Sequence, residues 1–297
     1  MKKEILLCFG ITFLFLGTCI TPSVAIDYVK KSSIPLNSGN TLYVGGTGPG
    51  NYTKIQDAID DANDGDTVFV YDDSSPYYES LIIEKSINLI GENKETTIID
   101  AFVYIIIEAH ANEFSIEHFT VRGGEVGLYG TLNNSIISDN IFSCYSVCIA
   151  LDISSNNMIL NNQLENSIEY RDYGIGLFSS NGNIITGNII ENCGKGIWLI
   201  GAIKNKITKN TFRNNFLHGI FIKSSFLNII TKNNFLNNPD HIYFNKSSYN
   251  LYFRNYWDDW SSLGPRPIKG TRYWVFLDKT SPWTTYDLRP AKEQYDI

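Results

Sequence analysis

Three residues capable of acid–base chemistry occupy equivalent positions of a repeated sequence pattern. Lys195, His218 and Asp240 immediately precede the segments GIWL, GIFI and HIYF. In a repeat fold, equivalent positions of successive units lie next to each other. A histidine held between a cation and a carboxylate can exchange protons near neutral pH. These residues are therefore the candidate catalytic group, and the alternative is a solvated row of charges at a turn.

Three aromatic residues share the third position of the same segments. They are Trp198, Phe221 and Tyr243. Because side chains alternate between the two faces of a strand, inward-pointing aliphatic neighbours send these rings outward. An outward strip of aromatic rings suits stacking on sugar rings, or else packing beneath a loop. We therefore take the strip as the candidate glycan-binding surface.

A polar insertion adds a second candidate binding cluster. The spacing between repeats is longest, at 26 residues, in the unit that contains Glu169, Arg171 and Asp172. Insertions in solenoid proteins emerge as loops, often on the binding face. The three residues either contribute to glycan binding or form an ion pair on a solvated loop.

The repeat itself predicts the fold. Its copies start 22 to 26 residues apart and begin with SIISDNIF at Ser135, NMILNNQL at Asn157, NIITGNII at Asn183, NKITKNTF at Asn205, NIITKNNF at Asn228 and NLYFRNYW at Asn250, after a degenerate copy at Asn112. Short apolar alternation and the absence of a helical period predict strands. Such units bury their apolar faces only by stacking. We expect an all-β, single-stranded, right-handed parallel β-helix of roughly eight to nine coils, with stacked asparagines.

Both ends of such a rod need covering, because an open end exposes strand edges. Thr53 and Gln56 fit a capping box, and Ile55 and Ile59 share one helical face. Residues 53–63 are therefore predicted to be an amphipathic helix over the N-terminal end. The predicted organisation is a β-helix over 53–257 and a C-terminal capping tail over 258–297.

The first residues predict export. Lys2 and Lys3 precede an apolar run, and small residues at 23–25 suit cleavage. Residues 1–25 are thus a predicted signal peptide, with an uncleaved membrane anchor as the alternative, and 26–52 form a lead-in. A net charge of −7 provides no basic field for nucleic acid. We expect a secreted or cell-surface protein.

Two parts of the chain resemble a known group of proteins. The segment from Lys54 to Glu92, KIQDAIDDANDGDTVFVYDDSSPYYESLIIEKSINLIGE, looks like the opening of pectin-lyase-like β-helix proteins. The repeats resemble those of carbohydrate-binding and sugar-hydrolase domains, including NosD-like proteins. NYWDDW from Asn255 and the closing RPAKEQYDI are similar to the ends of NosD-like surface proteins from archaea. The resemblance implies the fold more specifically than it implies an activity.

Enzymes of that group carry characteristic catalytic motifs, which this chain does not reproduce in full. The clustered acidic residues of pectate lyases are missing, and of the polygalacturonase motifs only His218-Gly219 is similar. The NosD-like resemblance also raises copper, which binds convergent His, Met or Cys. His218 and His241 fall at non-equivalent positions of adjacent repeats. We therefore predict no metal site and no cofactor, and leave catalysis open.

These observations support three functions from different classes. The first is a secreted or surface protein that binds polysaccharide or envelope glycan. The second is a polysaccharide lyase or glycoside hydrolase acting through His218. The third is a structural surface rod or adhesin module. In each case we expect a glycan or cell-envelope partner, no nucleic acid, and a membrane only through an uncleaved anchor.

Overall fold

The chain folds into a right-handed parallel β-helix, as the repeats predict. The computed structural model describes residues 39–166, 172–274 and 279–297. The predicted signal peptide, Glu169 and Arg171 lie outside the described residues. Apart from one short helix, α1 (Ile55–Asp61), the regular elements within these ranges are strands. None of the helical structure there is long and apolar enough to cross a membrane.

The strands are short and numerous. In chain order they are β1 (Thr41–Val44), β2 (Thr67–Val70), β3 (Leu81–Ile83), β4 (Asn88–Gly91), β5 (Ile98–Asp100), β6 (Ile105–Ala109), β7 (Ser115–Glu117), β8 (Thr120–Arg122), β9 (Val126–Gly130), β10 (Ile136–Ser138), β11 (Ile141–Cys144), β12 (Val147–Asp152), β13 (Met158–Leu160), β14 (Gln163–Asn166), β15 (Tyr173–Phe178), β16 (Ile184–Thr186), β17 (Ile189–Glu191), β18 (Lys195–Ile200), β19 (Lys206–Thr208), β20 (Thr211–Arg213), β21 (His218–Lys223), β22 (Ile229–Thr231), β23 (Asn234–Leu236), β24 (Asp240–Asn245), β25 (Leu251–Phe253), β26 (Tyr256–Trp257), β27 (Arg266–Trp274) and β28 (Lys279–Asp287).

The strands form three parallel stacks along the rod. The first runs β1–β2–β4–β7–β10–β13–β16–β19–β22–β25, the second β3–β6–β9–β12–β15–β18–β21–β24, and the third β5–β8–β11–β14–β17–β20–β23–β26. Each strand pairs with its counterpart one coil away. Parallel pairing begins at β1, which pairs with β2. Within the described ranges the first stack holds ten strands, so the rod has more coils than the roughly eight to nine expected.

Equivalent apolar residues fill the interior. One column of fully buried isoleucines consists of Ile116, Ile137, Ile159, Ile185, Ile207 and Ile230. In the third stack the rings of Phe212, Phe235 and Trp257 lie parallel, with centroids 5.0 and 4.6 Å apart. Burying each such side chain contributes roughly 1.5–3 kcal/mol. Because no single coil could bury these residues, the coils must stack for the chain to fold.

Buried asparagines form the predicted ladders. The amide oxygens of Asn162, Asn188, Asn210, Asn233 and Asn255 each accept hydrogen bonds from the backbone N–H and side-chain amide of the asparagine one coil earlier, at 2.9–3.2 Å. The left-handed backbone of each turn falls on the residue before the ladder asparagine, for example Lys209 with φ 54°. Each ladder amide thereby pairs groups that the turn would leave unsatisfied in the interior.

The N-terminal helix forms, but the predicted capping box is wrong. Lys54 is the N-cap and makes no side-chain capping bond. The Glu79 carboxylate, from the next coil, accepts the N–H groups of Ile55 and Gln56 at 2.9 and 3.0 Å. Gln56 bonds the backbone of Ile82 instead. An acceptor distant in sequence thus satisfies the first helical donors, which a local motif cannot reveal.

The C-terminal tail forms an antiparallel hairpin of β27 and β28. The hairpin continues two of the stacks, because Gly270 pairs with Phe244 of β24 and Asp287 pairs with Tyr252 of β25. It therefore covers the edge that the last coil would otherwise expose.

Candidate functional site

The strand register places the candidate residues in two columns. Lys195, His218 and Asp240 are direct neighbours along the second stack, and so are Trp198, Phe221 and Tyr243. The first column continues through Tyr173 and Val147 to Val126.

The aromatic residues form a continuous outward surface, which we call the aromatic face: Tyr173, Phe178, Trp198, Phe221 and Tyr243. Ring centroids of Trp198 and Phe221 are 6.3 Å apart, and Phe221 stacks on Tyr243 at 5.9 Å with an interplanar angle of 1°. All five side chains are half-buried. Because the rings repeat once per coil, a ligand lying along the rod would meet one ring after another.

Sequence reasoning missed Tyr173 and Phe178 as part of this surface. Both rings contact Trp198, with centroids 5.3 and 5.7 Å away. They fold over Gly176, where a Cβ would lie 2.5 Å from the Tyr173 ring and 2.7 Å from the Phe178 ring. A glycine at the aromatic position of that coil was the available signal, because it leaves space for rings from the neighbouring columns.

A row of polar residues borders the aromatic face. It consists of Asp172, Lys195, His218 and Asp240. The Lys195 ammonium lies 4.9 Å from the centroid of the Trp198 ring. Burial lowers the pKa of Lys195, and the nearby Asp172 carboxylate opposes that shift. Asp172 is buried and accepts a hydrogen bond of 2.9 Å from Ser146 Oγ. The row therefore places a cation and carboxylates at the edge of an apolar surface.

His218 belongs to the polar row and packs against the aromatic face. Its ring lies 5.2 Å from Phe221 and 5.6 Å from Tyr243, nearly parallel to both. Nδ1 is 3.3 Å from Asp240 Oδ2, an ion-pair distance without the alignment of a hydrogen bond. Burial lowers the pKa of His218, Asp240 raises it and Lys195 lowers it further. A neutral imidazole beside a carboxylate is able to accept a proton.

Burial also affects the first ring of the aromatic face. It raises the pKa of Tyr173 to about 12, and the hydroxyls of Tyr104 and Tyr129 add to the shift. Tyr173 is thus a neutral phenol at physiological pH. Tyr104 is largely exposed, so the phenols extend the aromatic surface towards the N-terminal coils.

A second polar cluster lies under the last coil. His241 Nε2 is 2.9 Å from Asp258 Oδ1 and 3.4 Å from Asp259 Oδ1. His241 is buried at the position where earlier coils carry glycine, such as Gly219. Arg266 donates to both oxygens of Asp259 at 2.7 and 3.1 Å. Sequence reasoning did not predict that the two aspartates contact this histidine.

Comparison with known proteins identifies one family. The family model described as "Periplasmic copper-binding protein (NosD)" matches residues 59–273. No curated protein matches the chain.

Solved structures share the fold at low sequence identity. An alginate lyase from Paenibacillus sp. str. FPU-7 superposes with a TM-score of 0.59 and 14% identity, covering 74% of this chain and 88% of the lyase. A DFA-IIIase from Arthrobacter chlorophenolicus A6 gives 0.57 and 13%, covering 74% and 70%. The catalytic domain of a GH87 α-1,3-glucanase gives 0.51 and 12%, covering 79% and 56%. At this identity the similarity shows the parallel β-helix alone.

Proposed function

The chain belongs to the NosD family, and from this premise we propose that it is an extracytoplasmic β-helix that binds a polysaccharide or envelope glycan through its aromatic face. The family description, which names a periplasmic protein, supports the location. The signal-like residues 1–25 support it independently. The three superposed enzymes are named for reactions on carbohydrates, which agrees with a carbohydrate ligand.

The observation that carries the proposal is the unbroken run of half-buried rings from Tyr173 to Tyr243. Neighbouring centroids lie 5.3 to 6.3 Å apart along the rod axis. Soluble proteins rarely expose contiguous aromatic surface without a partner. A pyranose ring presents apolar C–H faces to aromatic rings, and its hydroxyls can bond the polar row at Lys195 and Asp240.

Copper does not fit the described residues. His241, Asp258 and Asp259 form their only group of three or more His, Cys, Asp or Glu residues whose ligand atoms lie within 4.8 Å of one another. Asn238 donates its amide N–H to His241 Nδ1 at 3.3 Å, and its oxygen is held by the N–H and side-chain amide of Asn215. Nε2 therefore carries the imidazole proton and donates to Asp258. A metal at Nε2 would require that proton at Nδ1, where Asn238 already points an N–H.

A binding screen with one matched pair of variants tests the proposal. We expect the purified protein to bind specific glycans on an array of neutral and acidic polysaccharides. Trp198→Ala removes the central ring and should weaken binding about tenfold or more. Phe253→Ala truncates an outward aromatic of the first stack and should leave binding unchanged. Absence of binding to every glycan, or equal affinity of both variants, would sink the proposal and favour a structural rod.

Catalysis is the second candidate, favoured by the position of His218 against the aromatic face. An imidazole 3.3 Å from Asp240 and beside Lys195 could remove a proton from a bound sugar. Product analysis on each glycan that binds separates the two functions. Turnover that disappears in His218→Ala but persists in Phe253→Ala would indicate a lyase or glycosidase. Binding without products would leave the binding function alone.

A further inference from the structure

The C-terminal hairpin carries a cationic aromatic cluster that shares no residue with the aromatic face. Arg272 of β27 has its guanidinium carbon 4.5 Å from the Trp274 ring, 5.1 Å from Trp283 of β28 and 5.2 Å from Tyr249. Tyr249 belongs to the turn that follows β24, so the cluster joins the hairpin to the last coil. We call these four residues the arginine cage.

The charge of Arg272 is not neutralised by a carboxylate within the described ranges. The arginines that do form ion pairs there are Arg122, Arg213 and Arg266, which pair with Asp100, Glu191 and Asp259. Arg272 instead donates from Nη2 to the Tyr249 hydroxyl at 3.0 Å. A guanidinium has further N–H donors in a planar fork, which suits a carboxylate held in bidentate fashion.

A cavity adjoins the cage. It has a volume of about 180 Å³ and is lined by Arg272, Tyr249, Trp283, Ser248, Asn250 and Thr285. Pockets for drug-sized ligands measure about 300–1,000 Å³, so this one suits a single residue of a longer chain. Tyr249 is 67% exposed and Trp283 41% exposed, which leaves both rings accessible. The hydroxyls of Ser248 and Thr285 supply partners for the hydroxyl groups of a ligand, whereas the Asn250 amide is engaged by Asn228 and Ser225.

We propose that the arginine cage binds one carboxylated sugar residue of an acidic polysaccharide. The Arg272 fork would take the carboxylate, Tyr249 and Trp283 would flank the sugar ring, and the Ser248 and Thr285 hydroxyls would contact the sugar hydroxyls. The site shares no residue with the aromatic face. It therefore does not depend on the proposed function, and one can fail while the other holds.

The test is calorimetric titration of the full chain with tetragalacturonate and with its methyl ester, in the Trp198→Ala background so that the aromatic face does not contribute. The acid should bind and the ester should bind about tenfold more weakly or not at all. Arg272→Gln should reduce affinity for the acid to that for the ester. Arg289→Gln, which removes an exposed arginine near the same end, should change nothing.

Folding is checked by comparing melting temperatures, because Arg272 also joins the hairpin to Tyr249. If Arg272→Gln unfolds the hairpin, amide hydrogen exchange of the Trp198→Ala protein replaces the variant. The acid should then protect residues 246–252 and 279–287. Equal affinity for acid and ester, no binding of the acid, or protection confined to other coils would overturn the inference.

Discussion

The carboxylate of Asp287 closes the asparagine ladder at Asn255. Asp287 Oδ2 accepts the Asn255 backbone N–H at 3.0 Å and its side-chain amide at 2.9 Å. The same oxygen accepts the Trp257 indole N–H at 3.1 Å. It thus stands where the amide oxygen of a further coil would stand. The hairpin therefore ends the rod in two ways. It supplies the next hydrogen-bond acceptor of the ladder, and it covers the last coil.

Replacing this acceptor should destabilise the whole rod end. Asp287→Ala leaves the donors of Asn255 and Trp257 buried and unpaired, at a cost of about 1–3 kcal/mol each. We expect the free energy of unfolding to fall by roughly 3 kcal/mol or more, measured by urea denaturation. Asp296→Ala removes an exposed carboxylate nearby and should stay within about 0.5 kcal/mol of the parent. Equal effects of the two changes would mean that Asp287 does not close the ladder.

An asparagine in the middle of the ladder should be as sensitive. Asn210 accepts two bonds from Asn188 and donates to Asn233 Oδ1 and to the Ile185 carbonyl. Asn210→Asp keeps the shape and loses the donors, so we expect a loss of about 3 kcal/mol in urea unfolding at pH 7.

The matched control lies in the same coil but outside the ladder. Asn214 has φ 55°, and its amide side chain is exposed. Asn214→Gly keeps the left-handed backbone and should cost less than about 1 kcal/mol. If Asn214→Gly lost as much stability as Asn210→Asp, the turn rather than the ladder would account for the loss.

The parts of this fold that were predictable repeat once per coil. Aliphatic alternation and the asparagine spacing fix the strands, the stacking and the neighbours of His218, because an error of one residue would turn every side chain to the wrong face. Contacts that occur once were not predictable. Glu79 caps a helix more than 20 residues away, and Asp287 meets Asn255 from the tail. Such contacts leave no periodic signal.

Within the aromatic face, too, some residues were predictable from the repeat and others were not. Its column of Trp198, Phe221 and Tyr243 follows from the repeat, whereas Tyr173 and Phe178 join it through side-chain direction. The direction of these two side chains depends on the space above Gly176, which the spacing of residues in the sequence does not reveal. Lys195, His218 and Asp240 were likewise placed by their register, whereas Asp172 joins the polar row from the predicted insertion. The burial that lowers the pKa of His218 required the packed rings.

Gly176→Ala should disturb the aromatic face without unfolding the rod. The new methyl would meet the rings of Tyr173 and Phe178 at 2.5 and 2.7 Å, and both are ends of side chains that can rotate. We expect glycan affinity to fall several-fold, an altered Trp198 fluorescence spectrum and a cost of about 1–3 kcal/mol. If the cause is steric, the cost should shrink in a Tyr173→Ala background, as a double-mutant cycle measures. Additive costs would contradict this explanation.

The stability of the protein should depend on the charge state of His218. Burial lowers the pKa of His218 below its ordinary value of 6.5, so the folded protein disfavours the imidazolium. As the pH falls below about 6.5, the unfolded chain takes up the proton first, and the free energy of unfolding decreases until the folded-state pKa is passed. His218→Phe preserves stacking against Phe221 and Tyr243 and removes the titration.

Urea unfolding of the parent and His218→Phe at pH 7.5 and pH 5 isolates this contribution, because His241 titrates in both proteins. We expect the parent to lose more stability than the variant between the two pH values. An NMR titration of the His218 ring should give a midpoint below 6.5, since desolvation outweighs the attraction of Asp240. A midpoint above 6.5 would reverse the sign: Asp240 would then dominate, and acid would stabilise the stack of His218, Phe221 and Tyr243 instead of weakening it.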